Sequence, residues 1–423
     1  MFHRFKYVDE QGFDHPIPPV ATVRQRFEEH RISDIPGTLR KQLEKPEITK
    51  RIKKGARIAI GAGSRGIANV ALVVKSLVEV LREKGADPFV FPAMGSHGGA
   101  TADGQKRLLA SYGITEEYVG TSIRATMEVV EQARMADGTP LYVDRYANEA
   151  DGIVLVNRIK PHTAFRGPIE SGIVKMMIIG MGKIAGAAVM HSDRGMDLFG
   201  TVLPEAAQVL MPHIPFLFGV GLIEDAYDHT AIIEAIPAES LIAREEELLV
   251  TAKTMMPRLY INEIDVLVID QIGKEISGGG FDPNIAGRNC RGVAGFDDVR
   301  ANKMVILSLS PHTHGNATGV GLADVITRKL FDAIDLQATY TNVITSTYLD
   351  GAAIPIVMET EKEAIQLAIR SVPRVKPKDI RLVRIKDTLS LGEVVVSEAL
   401  LAEVNDHPRM EVVSGTREMD LEG

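Results

Sequence analysis

The sequence predicts an α/β protein of two domains with mostly parallel sheets and an active site in the interdomain cleft, at the carboxyl ends of the strands. Three observations carry that expectation. From Arg57 onward, short apolar runs alternate with stretches of helical periodicity, the pattern of parallel strands joined by crossover helices. At 423 residues the chain exceeds what one hydrophobic core usually organises. Reactive side chains recur just after the apolar runs, where open α/β sheets bind their ligands.

Taken in order, the first strand is expected at residues 57–62. Ile67, Val70, Val74, Leu77 and Leu81 then recur at three- and four-residue steps, which predicts an amphipathic helix ending at Gly85. A strand at 88–92 completes one βαβ unit. Further strands are expected at 152–156, 174–179, 215–220, 265–270 and 304–309, each short and bounded by glycine, proline or a charge. Residues 238–249 read as a helix, and Thr254-Met-Met-Pro257-Arg-Leu259 reads as a hinge. The expected domains are therefore 1–258 and 259–423.

Composition narrows the partners. The net charge of -8 and pI near 5.8 argue against nucleic-acid and anionic-membrane surfaces, which call for a basic footprint. A local basic pocket for a small anion is still allowed. The single cysteine, Cys290, forms no internal disulfide and no CxxC metal site, which fits a reducing cytoplasm. No apolar run reaches the roughly 18 residues of a membrane span, and the N-terminus lacks a signal-peptide core. A homo-oligomer is compatible with all of this.

The loops after the strands hold the chemistry. Gly61-Ala-Gly63-Ser64-Arg65-Gly66 has the G-x-G-x-x-G spacing of a dinucleotide turn. The second strand, however, ends Phe91-Pro-Ala-Met-Gly-Ser-His97, without the acidic residue that would hold a ribose. What remains is a turn that could hold one phosphate or carboxylate with Arg65, or a tight turn with Arg65 in water. His97, between glycines, and His162, behind the rigid Pro161 and flanked by Lys160 and Arg166, suit proton transfer near neutral pH. They flank one substrate or belong to unrelated loops. Of 11 histidines, five (His97, His162, His191, His312 and His314) fall in segments expected to follow strands.

Lys175 interrupts the apolar run Ile173 to Ile179, where an ammonium is costly unless it reaches solvent or is chemically changed. Lys183 follows that run. Lys274 heads a second glycine-rich loop, Gly278-Gly-Gly280, after the 265–270 strand. His312-Thr-His314 has the alternate spacing of a weak metal-ligand pair without a third ligand, and a polar turn is its simpler account.

Arg65, the Gly-Ser-His97 turn, Pro161-His162, Ser171-Gly172 leading to Lys175, and His191 follow one another in an order that resembles the nickel-pincer nucleotide lactate racemase family. The glycine loop with Lys274 is similar to the C-terminal domain of that family. The resemblance implies a racemase or epimerase of a 2-hydroxy acid, served by cofactor maturation enzymes. It implies Lys175 as the covalent tether of the nickel-pincer nucleotide, His191 as the nickel ligand, and Ser64 and Gly66 as further cofactor contacts. His97 and His162 would exchange the hydroxyl proton while hydride moves to and from the cofactor. Arg65 and Lys274 would hold the substrate carboxylate. Acylation would also remove the cost of burying Lys175, because an amide-like nitrogen carries no charge.

Two departures bear on the substrate. Gly98-Gly99 follows the first histidine motif where the lactate enzymes carry a basic residue, and the interval from His162 to Lys175 is longer. Both point to a larger or more polar 2-hydroxy acid than lactate. A metal-dependent lyase or hydrolase with histidine ligands, and a non-catalytic anion-binding protein, are the other readings of these residues.

Overall fold

The computed structural model describes residues 15–63, 66–289 and 293–422, with the side chains of 192–194 and 196 outside the description. Ser64, Arg65 and Cys290 also lie outside the described residues. The strands in chain order begin with β1 (Val20–Gln25), β2 (Arg57–Ala62), β3 (Asp87–Pro92), β4 (Val129–Arg134) and β5 (Pro140–Asp144). β6 (Gly152–Arg158), β7 (Phe216–Glu224), β8 (Thr230–Pro237), β9 (Glu263–Ile272) and β10 (Arg300–Leu309) follow. The last are β11 (Val325–Thr327), β12 (Ile356–Met358), β13 (Leu382–Ile385), β14 (Glu393–Ser397) and β15 (Met410–Val412). No single described helix is long and apolar enough to cross a membrane.

The described chain forms two compact units, Glu28–Met256 and a second made from Pro257–Gly423 with the N-terminal segment ending at Phe27. The expected first domain, 1–258, had included that N-terminal segment. β1 instead pairs antiparallel with β14 and β15, so pairing partners far along the sequence decide where it belongs.

Unit Glu28–Met256 is built on a five-stranded sheet of order β3-β2-β6-β7-β8. Its strands are parallel except β8, which runs antiparallel to β7. Alternate residues of the strands feed opposite faces, as a period of two requires. Ile58, Ile60, Val90, Val154 and Val156 bury against Val73, Val74, Leu77 and Leu81 of helix Val70–Glu83. Phe89, Phe91, Ile153 and Leu155 bury on the other face, together with Ile173, Val174, Met176, Met177 and Met181.

That second set holds the main correction to the secondary structure. Residues 174–179, expected as a strand, are helical: Ile173–Lys175 opens the turn and Met176–Gly180 continues it as a π turn. A short run that is apolar all round fits a buried strand or a buried helix equally well, so periodicity alone does not separate them. The helical start is made by Glu245, which accepts the N–H groups of Ile173 (2.9 Å) and Val174 (3.2 Å). Gly172 permits this approach, since a Cβ there would lie 2.1 Å from Glu245 Oε1. The run Ile173–Gly180 then meets Lys183–His191 at 103°, and Lys183 at the bend has φ +53°.

The other unit carries an eight-stranded sheet of order β12-β11-β10-β9-β13-β14-β1-β15. Strands β9 to β13 pair in parallel, whereas β14, β1 and β15 join by antiparallel pairing. The expected strand at 265–270 lies within β9, and that at 304–309 is the C-terminal part of β10.

Candidate functional site

From β2 the chain crosses to β3 on one side and later returns to place β6 on the other. The connections leaving β2 and β6 therefore diverge, which opens a crevice at their carboxyl ends. Three segments meet there. A Cβ on Gly63, in the turn after β2, would lie 2.8 Å from Met176 Cε and 3.2 Å from Asn157 Oδ1. Asn157, near the end of β6, donates from Nδ2 to the Gly172 carbonyl at 2.7 Å. The glycine turn, the end of β6 and the Lys175 helix are thus one packed assembly. Gly66 of the same turn is exposed.

His162 is held by a closed loop. Lys160 and Ser171 exchange backbone hydrogen bonds of 3.0 and 3.1 Å, pinning both ends. Inside the loop the His162 N–H donates to Glu170 Oε2 at 2.7 Å, and Arg166 Nη1 donates to the His162 carbonyl at 3.0 Å. Glu170 is buried, and Lys253 Nζ binds its Oε1 at 2.6 Å, so the carboxylate that positions His162 is itself neutralised. Phe165 stacks on the imidazole with centroids 4.2 Å apart and planes inclined by 26°.

The ring nitrogens have separate partners. Ala164 N–H donates to Nδ1 at 3.0 Å, and Nε2 stands 2.6 Å from Lys175 Nζ. Lys175 is half-buried, with Nζ 5.7 Å from the Phe165 centroid. His191 borders the same aromatic group from the far side: its ring lies 5.0 Å from Phe199, whose ring is 5.6 Å from Phe165. It sits in helix Lys183–Arg194 and not in a loop as expected.

His97 occupies the turn after β3, with its side chain exposed. Gly95 N–H donates to the Gly180 carbonyl at 3.1 Å, which ties this turn to the end of the Lys175 helical run. Gln105 Nε2 donates to the carbonyls of Gly95 (2.9 Å) and His97 (3.2 Å). Gln105 Oε1 in turn accepts from Lys183 Nζ at 3.0 Å. Lys183 is fully buried, also donates to the Pro92 carbonyl, and forms an ion pair with Asp144 at 3.0 Å. Burial pushes the Lys183 ammonium below, and the Asp144 carboxyl above, their ordinary ranges. Lys183, singled out as a reactive group after a strand, is therefore an internal brace behind the His97 turn.

In the second unit Lys274 follows β9, where β10 and β13 leave on opposite sides. Its Nζ donates to the Gly278 carbonyl at 2.5 Å and its N–H to Thr313 Oγ1 at 3.2 Å. His312 and His314 are exposed in the adjoining turn. Among the described residues no three His, Cys, Asp or Glu side chains gather as a metal-ligand group.

Sequence reading missed Glu170, Glu245 and Glu224. Glu224 pairs with Arg158 and takes the Ala68 N–H just beyond the glycine turn. A buried glutamate announces itself only through its partners, and these partners are remote in sequence.

A family model described as "Domain of unknown function (DUF362)" matches residues 62–237. No curated protein matches the chain in sequence. Among solved structures, the chain is similar to the lactate racemase apoprotein from Thermoanaerobacterium thermosaccharolyticum, with 14% identity and a TM-score of 0.56. The match covers 88% of this chain and 99% of that one. At that identity the likeness is one of fold: the chain adopts the mixed α/β architecture of that apoprotein.

Proposed function

We propose that this chain is an isomerase, a racemase or epimerase of a 2-hydroxy acid larger or more polar than lactate. One observation carries the reading: Lys175 Nζ stands 2.6 Å from His162 Nε2, beside a glycine turn at the switch point of a sheet. The likeness in fold to a lactate racemase apoprotein supports it.

In this reading Lys175 tethers a nickel-pincer nucleotide, and His191 supplies an imidazole donor to its nickel. The residues present fit such a group. Met176, next to Lys175, and Asn157 stand against the space that a Gly63 Cβ would fill, and the exposed Gly66 follows in the same turn. Ser64 and Arg65 complete that turn in sequence. With no cluster of protein ligands among the described residues, most of the nickel donors would come from the nucleotide itself. Accepting and returning the α-hydride of the substrate is the chemistry such a group supplies when bound.

The protein's own part is positioning and proton transfer. His97 and His162 take and return the hydroxyl proton, one for each configuration of the substrate carbon. Phe165 fixes the His162 ring plane, and the buried Glu170 fixes the backbone beneath it. Arg65 is a fork for the substrate carboxylate.

The test is co-expression with nickel-pincer maturation enzymes, followed by intact-mass analysis. The expected result is the added mass of one pincer nucleotide on wild type and none on Lys175→Ala, with circular dichroism unchanged. Loaded protein is then assayed by chiral chromatography across 2-hydroxy acids, including lactate and sugar acids. A loaded Lys175→Ala variant would overturn the tether. Loaded wild type without racemisation or epimerisation of any 2-hydroxy acid would overturn the activity.

A further inference from the structure

The turn that carries His97 is built from residues with little stiffness of their own. Gly95, Gly98 and Gly99 surround His97 with φ of +56°, +67° and +66°, so the backbone on both sides has the freedom of glycine and depends on its bonds for a fixed place. The turn lies against the start of the helix Ala102–Ser111. A Cβ on Gly98 would lie 2.7 Å from the Gln105 backbone nitrogen, and Thr101 Oγ1 caps that helix by accepting the Gly104 N–H at 3.0 Å. From the first turn of the helix the Gln105 side chain, fully buried, reaches back to the His97 turn.

The surroundings allow this amide one orientation. Its Nε2 faces the carbonyl oxygens of Gly95 (2.9 Å) and His97 (3.2 Å), which can only accept, so the nitrogen belongs at that end. Its Oε1 then faces Lys183 Nζ at 3.0 Å, and Lys183 is itself held by Asp144 and the Pro92 carbonyl. A flipped amide would crowd three oxygens together in the core. The bonds lead to both helical runs of the site. Lys183 opens the helix that carries His191, and Gly180, which closes the run that carries Lys175, accepts the Gly95 N–H at 3.1 Å.

We propose that Gln105 is a positioning residue for His97: it fastens the glycine turn to the helix that begins at Lys183, and so sets where His97 stands relative to Lys175 and His191. The inference rests on the proposed function for what His97 does; that Gln105 holds the turn rests on the bonds alone. The other histidine is placed by separate means. The His162 loop is pinned by Glu170, by Arg166 and by the backbone pair of Lys160 and Ser171. Loss of the Gln105 amide therefore loosens one of the two histidines and leaves the other in place.

The test uses Gln105→Met, which keeps the length of the side chain without its amide, and Gln105→Asn, which keeps an amide but falls one carbon short. Hydrogen–deuterium exchange is read by peptide mass spectrometry on the chain expressed without maturation enzymes. The peptide spanning 94–100, in which the His97 and Ala100 N–H groups donate within the turn, is expected to exchange about tenfold faster in both variants. Peptides of β2 and of the 160–171 loop are expected to exchange as in wild type. Exchange of 94–100 at the wild-type rate in either folded variant overturns the proposal. A rise shared by every peptide, or loss of the fold in both variants, overturns it as well, since Gln105 would then support the whole unit. In protein matured with nickel-pincer enzymes and shown by intact mass to be loaded, Gln105→Met is expected to lower kcat about 10–100-fold with KM nearly unchanged. A loaded variant with wild-type kcat overturns the positioning role. Wild type that loads no nucleotide, or acts on no 2-hydroxy acid, refutes the proposed function, and the exchange contrast still upholds or overturns the anchoring of His97 by Gln105.

Discussion

Lys175 and Lys183 sit on consecutive helical runs of the same core, and they meet the cost of leaving water in opposite ways. Lys183 is fully buried, and its ammonium is matched by the Pro92 carbonyl, Gln105 Oε1 and an Asp144 carboxylate oxygen. Lys175 is half-buried, and its Nζ stands 2.6 Å from His162 Nε2. Depth of burial is thus a poor guide to which lysine carries the proposed tether. An ammonium with three acceptors is chemically quiet, whereas a half-buried lysine keeps part of its side chain open to a ligand. Lys183 even holds an unfavourable left-handed backbone at φ +53°, which persists because its side chain is fixed on every side.

The comparison is tested most severely at the buried lysine. Lys183→Met should cost about 3–5 kcal/mol, because it strands the Asp144 carboxylate without its countercharge. Urea denaturation reads this directly. Much of the loss should return in Lys183→Met combined with Asp144→Leu, since removing both charges removes the desolvation penalty as well. A single variant within about 1 kcal/mol of wild type would show that the pair is solvated and that the contrast drawn here is false.

How much of this was readable beforehand depended on the range of the interactions. The strands at 57–62 and 88–92 and the helix between them follow from local apolar spacing and nearby punctuation, and the structure has them as β2, β3 and Val70–Glu83. A glycine turn and a proline mark His97 and His162 locally, and the structure has them in the segments after β3 and β6. Residues 174–179 are not legible as a helix because the residue that makes them helical, Glu245, belongs to another helix entirely. The bracing role of Lys183 is hidden for the same reason, as Asp144 and Gln105 reach it from distant segments. β1 could not be assigned to its unit from its own six residues, since its partners lie at the other end of the chain.

The helix start beneath Lys175 gives an intermediate effect. Gly172→Ala should cost about 1–3 kcal/mol, because the new Cβ would push Glu245 away from the Ile173 and Val174 amides. A pH signature accompanies it. Burial raises the Glu245 carboxyl from 4.5 to about 8, so between those values the native chain holds a proton that the unfolded chain has lost. That contribution is complete below the unfolded value and disappears as pH climbs through about 8. Glu245→Gln, which carries no charge at any pH, should flatten this decline in urea midpoint between pH 5 and 8. An unchanged slope would place the titrating group elsewhere.

The smallest expected effect falls on the residue proposed as the tether. Lys175→Met keeps a flexible apolar stem of similar length and leaves His162 stacked on Phe165. It removes one contact at Nε2, a nitrogen that can turn to water in a half-buried site. The change in urea midpoint should therefore correspond to no more than about 1 kcal/mol. A loss as large as that of Lys183→Met would mean that Lys175 is also a structural brace, and that its contact with His162 serves stability and not reactivity. Agreement would separate the two lysines by measurement: one whose removal strongly destabilises the unit, and one whose removal leaves its stability nearly unchanged.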